Sequence, residues 1–421
     1  MRRSLLPIYT TFIRLAKARA GPKAVPEAAV AVTNRRSFEG ISGSGIRLLA
    51  GLVLALLCAN VHSAILPEDR ADAMYHGYDG GGLKVTGPSV LVRKGYKDKV
   101  SLWANYYVDM ITSASIDVMA TASEYEEERK EKSIGLDFLH GKTSMGVGYT
   151  NSEESDYSAN SVRFGIAQDF FGDLTNLGIS YARGWDEVRR NGDENFAAET
   201  TRQGYRVDLS QIITKNLIIS MNYEGVTDEG ESLNNPYRQV RYLDPSSARG
   251  YEYEFEVYPR TKTSSAFALR GMYYLPYRAS LKAEGRIYTD TWGTDAWNVE
   301  VAYTHPLPKG ITLDVKYRYY QQTAADFYSD LFPREQAQNF MARDKELATY
   351  VTHTMGAGLS YEFAPNWMPF FKKGELSLYV DYLLFQYDDF RDVTVTDVTP
   401  GEEPLYDFHS IVTRAFISFW Y

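Results

Sequence analysis

The chain closes on Arg414-Ala415-Phe416-Ile417-Ser418-Phe419-Trp420-Tyr421. Ile417, Phe419 and Tyr421 share one parity, which Thr413 and Ala415 continue, while Arg414 and Ser418 lie on the other. Side chains alternate between the two faces of a strand, so this segment is apolar on one face and polar on the other. An aromatic carboxyl end is out of place at the fraying terminus of a soluble domain. It suits a wall with hydrocarbon on one side and water on the other.

The pattern repeats upstream. Ile134, Leu136 and Phe138 oppose Ser133, Gly135 and Asp137, and His140-Gly141-Lys142 turns the chain back into Met145, Val147 and Tyr149. Val162, Phe164 and Ile166 oppose Arg163 and Gly165, then turn at Gly172-Asp173 into Leu177, Ile179 and Tyr181. Similar pairs recur with centres near Val207 and Ile219, Leu269 and Ala283, and Val299 and Val315, with final strands near 351–363, 375–388 and 406–421. With an opening strand from Val100 to Ile111, this predicts an all-β, transmembrane antiparallel β-barrel of about fourteen strands, an even number as single-chain bacterial barrels have. Long connections are expected near 112–131, 151–159, 187–202, 229–263, 289–294, 322–350 and 389–404, alternating with short turns. Short periplasmic turns and long extracellular loops then put both termini in the periplasm of a bacterial outer membrane.

Composition agrees. The chain holds 33 Tyr and 6 Trp, rings that collect where an apolar surface meets water. No mature segment offers the ~18 apolar residues of a helical span. The formal charge of −9 leaves no basic stripe for nucleic acid.

Residues 1–64 read as an export signal with an extended n-region: Leu48 to Cys58 is a short apolar core after Arg47, with cleavage after Ser63 or Ala64. Cys58 is the single cysteine, so a processed chain has no disulfide and no thiol nucleophile. It also raises a lipoprotein alternative, against which Leu57 occupies the position where a small residue is expected. Residues 65–98 read as a periplasmic N-terminal segment in which Asp79-Gly80-Gly81-Gly82 is either a plug or a plain turn, and residues 99–421 as the barrel.

Barrel closure assigns candidate lumen-lining residues by parity: Arg206, Arg270, Lys282, Glu284, Arg286, Glu300, Asp314, Lys316 and Arg318. Opposed charges on neighbouring strands suit a wet interior, where they either tune ion selectivity or form a closed ladder holding the wall together. Acidic runs at Glu124 to Glu131, Glu153 to Asp156 and Asp228 to Glu231 have no calcium-loop spacing and read as solvated loops. His76, His140, His305, His353 and His409 form no close metal spacing, and no cofactor or enzyme is expected.

Four stretches are distinctive together: Tyr78-Asp79-Gly80-Gly81-Gly82, Gly87-Pro88-Ser89-Val90-Leu91-Val92-Arg93-Lys94, Gly148 through Tyr157, and Leu233-Asn234-Asn235-Pro236-Tyr237-Arg238. With them the chain, from about Asp79 to Tyr421, resembles the proteobacterial outer-membrane family of unknown function numbered 3570. The resemblance implies a barrel and no established activity. It also implies a setting near small lipoproteins, thioredoxin-like proteins and flavin transferases, hence an extracytosolic redox system. The C-terminal Ile417, Phe419 and Tyr421 resemble the assembly signal read by the barrel insertion machinery.

Two functions are therefore expected: a channel or transporter for a small polar solute, or a non-conducting scaffold for periplasmic or surface partners. In either case the partners are outer-membrane lipid, lipopolysaccharide and the insertion machinery, with no nucleic acid, and the protein is a monomer.

Overall fold

The structure is a computed structural model that describes residues 65–113, 125–190, 193–234, 236–365 and 367–421. The expected export signal and Cys58 lie outside the described residues.

Sixteen described strands close into one antiparallel barrel. In chain order they are β1 (Arg70–Gly80), β2 (Leu83–Tyr96), β3 (Val100–Ser113), β4 (Tyr125–His140), β5 (Thr143–Glu153), β6 (Tyr157–Phe170), β7 (Thr175–Arg190), β8 (Asp193–Thr214) and β9 (Leu217–Gly230). A two-stranded hairpin, β10 (Gln239–Leu243) and β11 (Tyr251–Phe255), stands apart from the wall. The wall resumes with β12 (Thr261–Tyr274), β13 (Ser280–Asp290), β14 (Asp295–Pro306), β15 (Ile311–Gln322), β16 (Tyr350–Phe363), β17 (Lys373–Arg391) and β18 (Leu405–Trp420). Closure pairs β1 with β18 from Arg70↔Trp420 to Gly80↔Ser410.

The alternation in sequence becomes an inside and an outside. On β3, Leu102, Tyr106 and Met110 are exposed outward, while Ser101, Tyr107, Asp109 and Ile111 are buried inward. Val90, Ile134, Val147, Phe164, Ile179, Val207, Met221, Leu269, Val299, Val315, Leu359 and Leu378 carry the same exposed apolar surface around the ring. This belt is what hydrocarbon covers in a transmembrane barrel, where each strand shows lipid only every second residue. No described helix is long and apolar enough to cross a membrane.

The wall has two strands more than expected, and both come from residues 65–98. The segment expected as a periplasmic extension or plug is β1 and β2, hydrogen-bonded into the wall on both sides. Gly81 and Gly82 (φ 60° and 74°) form the tight turn between them, a geometry that favours glycine. The reason the pattern hid them is physical. On β1 the outward face is Ala71, Ala73, Tyr75 and Gly77, whereas the bulkier Met74 and Tyr78 point inward. On β2 the ladder to β3 is interrupted at Gly87-Pro88, where proline has no N–H to give.

Three expected loops are also shorter than their sequence suggests. Strands β5 and β6 join through 154–156, β7 and β8 through 191–192, and β13 and β14 through 291–294. Strand β8 runs for 22 residues, far beyond the ~9–11 that cross hydrocarbon, so its upper part stands clear of the apolar belt.

Candidate functional site

The inner wall from β8 round to β18 carries a ladder of opposed charges. Arg270 Nε lies 2.5 Å from Glu284 Oε2, Lys282 Nζ 2.5 Å from Glu300 Oε1, and Arg286 Nη2 3.6 Å from Glu224 Oε2. Lys316 Nζ is 2.9 Å from Asp381, whose other contact is Arg414 on β18. Arg206 holds Asp208 through a forked pair of hydrogen bonds (2.8 and 2.9 Å), and Asn222 adds a third at 2.8 Å. Asp314 accepts from the Thr304 hydroxyl.

All nine lumen candidates thus point inward, and all but Arg318 have a polar partner. Arg318 faces Glu300 in register, but Lys282 already holds that carboxylate. The Arg318 guanidinium rests 5.8 Å from the Tyr320 ring, and its buried Nε has no hydrogen-bond partner. The opposite arc is lined by small groups, among them Gly148, Gly165, Gly178 and Ser180.

A second constellation, which the sequence reading did not assemble, occupies the inside of β1, β3 and β4. His76 Nε2 lies 2.8 Å from Asp109 Oδ1 and 3.1 Å from the Tyr107 hydroxyl, and the two rings stack at 4.8 Å. Arg129 Nη2 closes the group 2.7 Å from Asp109 Oδ2. His76 and Asp109 are fully buried. Gly87 makes the contact possible. It stands between them on β2, and a Cβ there would lie 1.8 Å from the Val108 carbonyl oxygen. Above the cluster Tyr78, Leu83, Val85, Ile111 and Val412 form an apolar pack. Single-position parity cannot find such a group, because its members sit on three non-adjacent stretches of sequence.

The loop-bearing end carries a cap. The β10–β11 hairpin packs Val240 against Phe332 and Met341 of the 323–349 connection. Arg241 on β10 is fully buried and donates to Glu403 (2.5 and 3.0 Å), Asp330 Oδ2 (2.5 Å) and the Asp330 carbonyl (2.9 Å). Arg343 holds the other Asp330 oxygen at 3.0 Å and donates to the Arg391 carbonyl. A second pack joins Tyr258, Trp292 and Phe327, and burial together with the nearby Glu256 and Asp344 carboxylates pushes the Tyr258 phenol well up from its ordinary value. On the far side Tyr237 donates to Asp156 at 2.8 Å, and Arg190 lies 5.0 Å from the Phe255 ring. The connection that carries the hairpin springs from between β9 and β12, yet it reaches the β5–β6 turn, the end of β7 and the β17–β18 loop. Contacts to such separated arcs of the ring require the cap to cross the mouth.

Three carboxylates at this rim, Glu127, Glu154 and Asp156, bring oxygens within 4.8 Å of one another. Ser155 donates to Glu127 through N (2.8 Å) and Oγ (2.6 Å), and Tyr237 takes Asp156, so protein donors satisfy oxygens of this group. The remaining histidines are dispersed. His353 and His409 face outward beside Tyr317 and Tyr382, and His305 hydrogen-bonds Tyr303.

At the terminus-bearing end, Phe419 packs on Phe371 at 4.8 Å and Tyr421 on Phe370 at 5.2 Å, and the Tyr421 hydroxyl donates to the Arg93 carbonyl at 2.8 Å. Ile417 pairs with Leu376 on one side and Ala73 on the other, so the expected assembly signal lies along the closing seam.

The family model for a protein of unknown function, DUF3570, matches residues 117–389, from before β4 to within two residues of the end of β17. The chain belongs to the DUF3570 family. No curated protein matches it. Among solved structures, this DUF3570 protein is similar to a bacterial polysaccharide outer membrane secretin, with 9% identity and a TM-score of 0.47 over 85% of this chain and 100% of that one. It is similar to the CymD monoaromatic hydrocarbon channel, with 9% identity and a TM-score of 0.41 over 94% and 95% of the two chains. It is also similar to a Pseudomonas aeruginosa FadL homologue, with 11% identity and a TM-score of 0.40 over 84% and 90%. These likenesses are of barrel architecture alone.

Proposed function

We propose that this DUF3570 protein is a bacterial outer-membrane channel or transporter, in which a small polar solute crosses through a charge-lined lumen beneath a three-loop cap. Both termini then face the periplasm, and the chain works as a monomer inserted among lipid and lipopolysaccharide by the barrel insertion machinery. One observation carries the reading. Arg206, Asp208 and Arg270 face the inside of the barrel, yet their side chains are 40%, 43% and 45% exposed. Charges deprived of water cost several kcal/mol each unless fully paired. Side chains that face inward and stay accessible mark a water-filled stretch of lumen, and opposed charges around water are what a conduit for polar solutes requires.

The test is conductance in a planar bilayer, with folding verified by heat-modifiable migration on a gel. Stepwise current supports passage. An inserted, folded barrel that carries none overturns it.

The cap favours a second reading. Its fully buried Arg241 latch crosses the mouth, which suits a non-conducting scaffold for periplasmic or surface partners, including an extracytosolic redox system. Crosslinking in intact cells separates the two: a specific periplasmic partner together with absent conductance supports the scaffold.

A further inference from the structure

We propose that the lumen selects small anions, such as carboxylates, over cations; the inference rests on the reading of the lumen as a conduit. The ion pairs of the inner wall are not symmetric toward water. The cation stands out and the carboxylate lies against the wall: Arg270 is 45% exposed against 19% for Glu284, Arg202 25% against 8% for Asp228, and Arg286 21% against 12% for Glu224. Lys282 and Glu300 follow the same order. Arg206 and Asp208 are even, and Arg93–Asp137 and Arg414–Asp381 reverse the order.

One further cation adds to the bias: Arg318 makes no ion pair or hydrogen bond among the described residues. Arg163, on the inner face of β6, is exposed to the same water. Around Arg163 the β5–β7 arc is lined largely by glycine, serine and alanine, while Arg318 lies against the Tyr320 ring.

Opposite charges at equal distance from a passing ion cancel. Here the carboxylates are set back, so the field in the water is that of the nearer charge. The Debye length at 0.1 M salt is ~10 Å, the scale of a narrow lumen, so the bias survives in physiological salt. Charged side chains around a constriction are what set selectivity in such pores. The overall charge of −9 runs the other way, which makes the local arrangement, and not the net charge, the source of the selectivity.

The experiment is the reversal potential across a planar bilayer under a tenfold KCl gradient. The wild-type channel should favour chloride over potassium. The double variant Arg270→Gln, Arg318→Gln, and separately Arg163→Gln, should lower the permeability ratio by roughly twofold or more toward unity. Heat-modifiable migration shows which variants fold, and the two routes keep the test open if one does not. A conducting wild type that favours potassium overturns the inference and leaves the conduit standing. So does a permeability ratio that none of the folded variants changes. Absence of any current overturns the conduit itself, and the anion selectivity with it.

Discussion

Arg241→Ala should unlatch the cap without unfolding the barrel. Arg241 is buried on every side and donates to Glu403, to Asp330 and to a backbone carbonyl. Its removal treats the two acids differently. Asp330 keeps the Arg343 fork at 2.9 and 3.0 Å. Glu403 keeps only backbone N–H groups, that of Gly401 at 2.8 Å and its own. Breaking a buried pair by deleting one partner costs ~3–5 kcal/mol, and because Asp330 stays paired the lower end applies. About 3 kcal/mol is a change of ~10²-fold in the equilibrium between latched and open cap, at ~1.4 kcal/mol per factor of ten. The cost falls on three loops held to each other, and not on the strand ladders beneath, so it should appear as local opening.

Hydrogen exchange reads this directly: the amides of 239–243 and 330–343 should exchange faster while those of β12 to β16 keep their protection. If the cap amides keep wild-type protection, the latch is not what holds the cap. Acid should imitate the substitution. Burial raises the Glu403 carboxyl, but the Arg241 hydrogen bonds and charge outweigh it and hold the group below its ordinary value. A carboxyl depressed in the folded state contributes stability that is full above its unfolded value and lost as pH falls through the folded one. Cap exchange in the wild type should therefore accelerate below about pH 4, and Arg241→Ala should not show that step.

Three further substitutions probe the wall. Phe419→Asp puts a charge on the outer face beside Phe371; charge there costs up to ~2–4 kcal/mol at mid-depth and less near an interface, so the fraction migrating as a heat-modifiable folded band should fall. Gly87→Val should lower the urea midpoint of refolded protein by an amount equivalent to roughly 1–3 kcal/mol, the cost of overpacking, since the new Cβ collides with the Val108 carbonyl; an unchanged midpoint would mean that β2 and β3 separate freely there. Asp109→Asn leaves Arg129 without its anion and should cost ~3–5 kcal/mol by the same measurement.

The barrel was legible because hydrocarbon imposes a period of two on every strand that faces it. Each of the fourteen strands expected from alternation is present, from Val100 on β3 to Trp420 on β18. Alternation fails where its cause is weak. On β1 the lipid side is served by Ala71, Ala73 and Gly77, while the interior takes Met74 and Tyr78, so apolar residues occur on both parities and no contrast remains to read. The run Asp79 to Gly82 then looks like a flexible segment, although in the structure it is a hairpin turn. The loops at 151–159 and 187–202 were overestimated for a related reason. Beyond the membrane both faces of β7 carry charge, Glu187 and Arg189 on one and Asp186 and Arg190 on the other, and a strand such as Asp193 to Gln203 carries no amphipathic mark.

Sites divide along the same line. A lumen residue is defined by parity alone, so Arg206, Arg270 and Lys316 could be assigned without coordinates. The cap and the His76 cluster are defined by which turns meet, and that depends on closure. His76 reaches Asp109 only because the strand between them offers Gly87 at the crossing. Arg241 reaches Glu403 only because the hairpin leaves the wall between β9 and β12 and traverses the mouth. A fully buried arginine in a surface loop is costly unless every donor finds an acceptor, and Arg241 is matched by two carboxylates and a carbonyl. That match is what makes the three loops one body. If the solute enters from the loop side, it must pass around this body or displace it, so conductance in Arg241→Ala should rise in step with the exposure of the cap amides. A rise in exchange with no change in current would place the constriction below, at the ladder around Arg270 and Arg318.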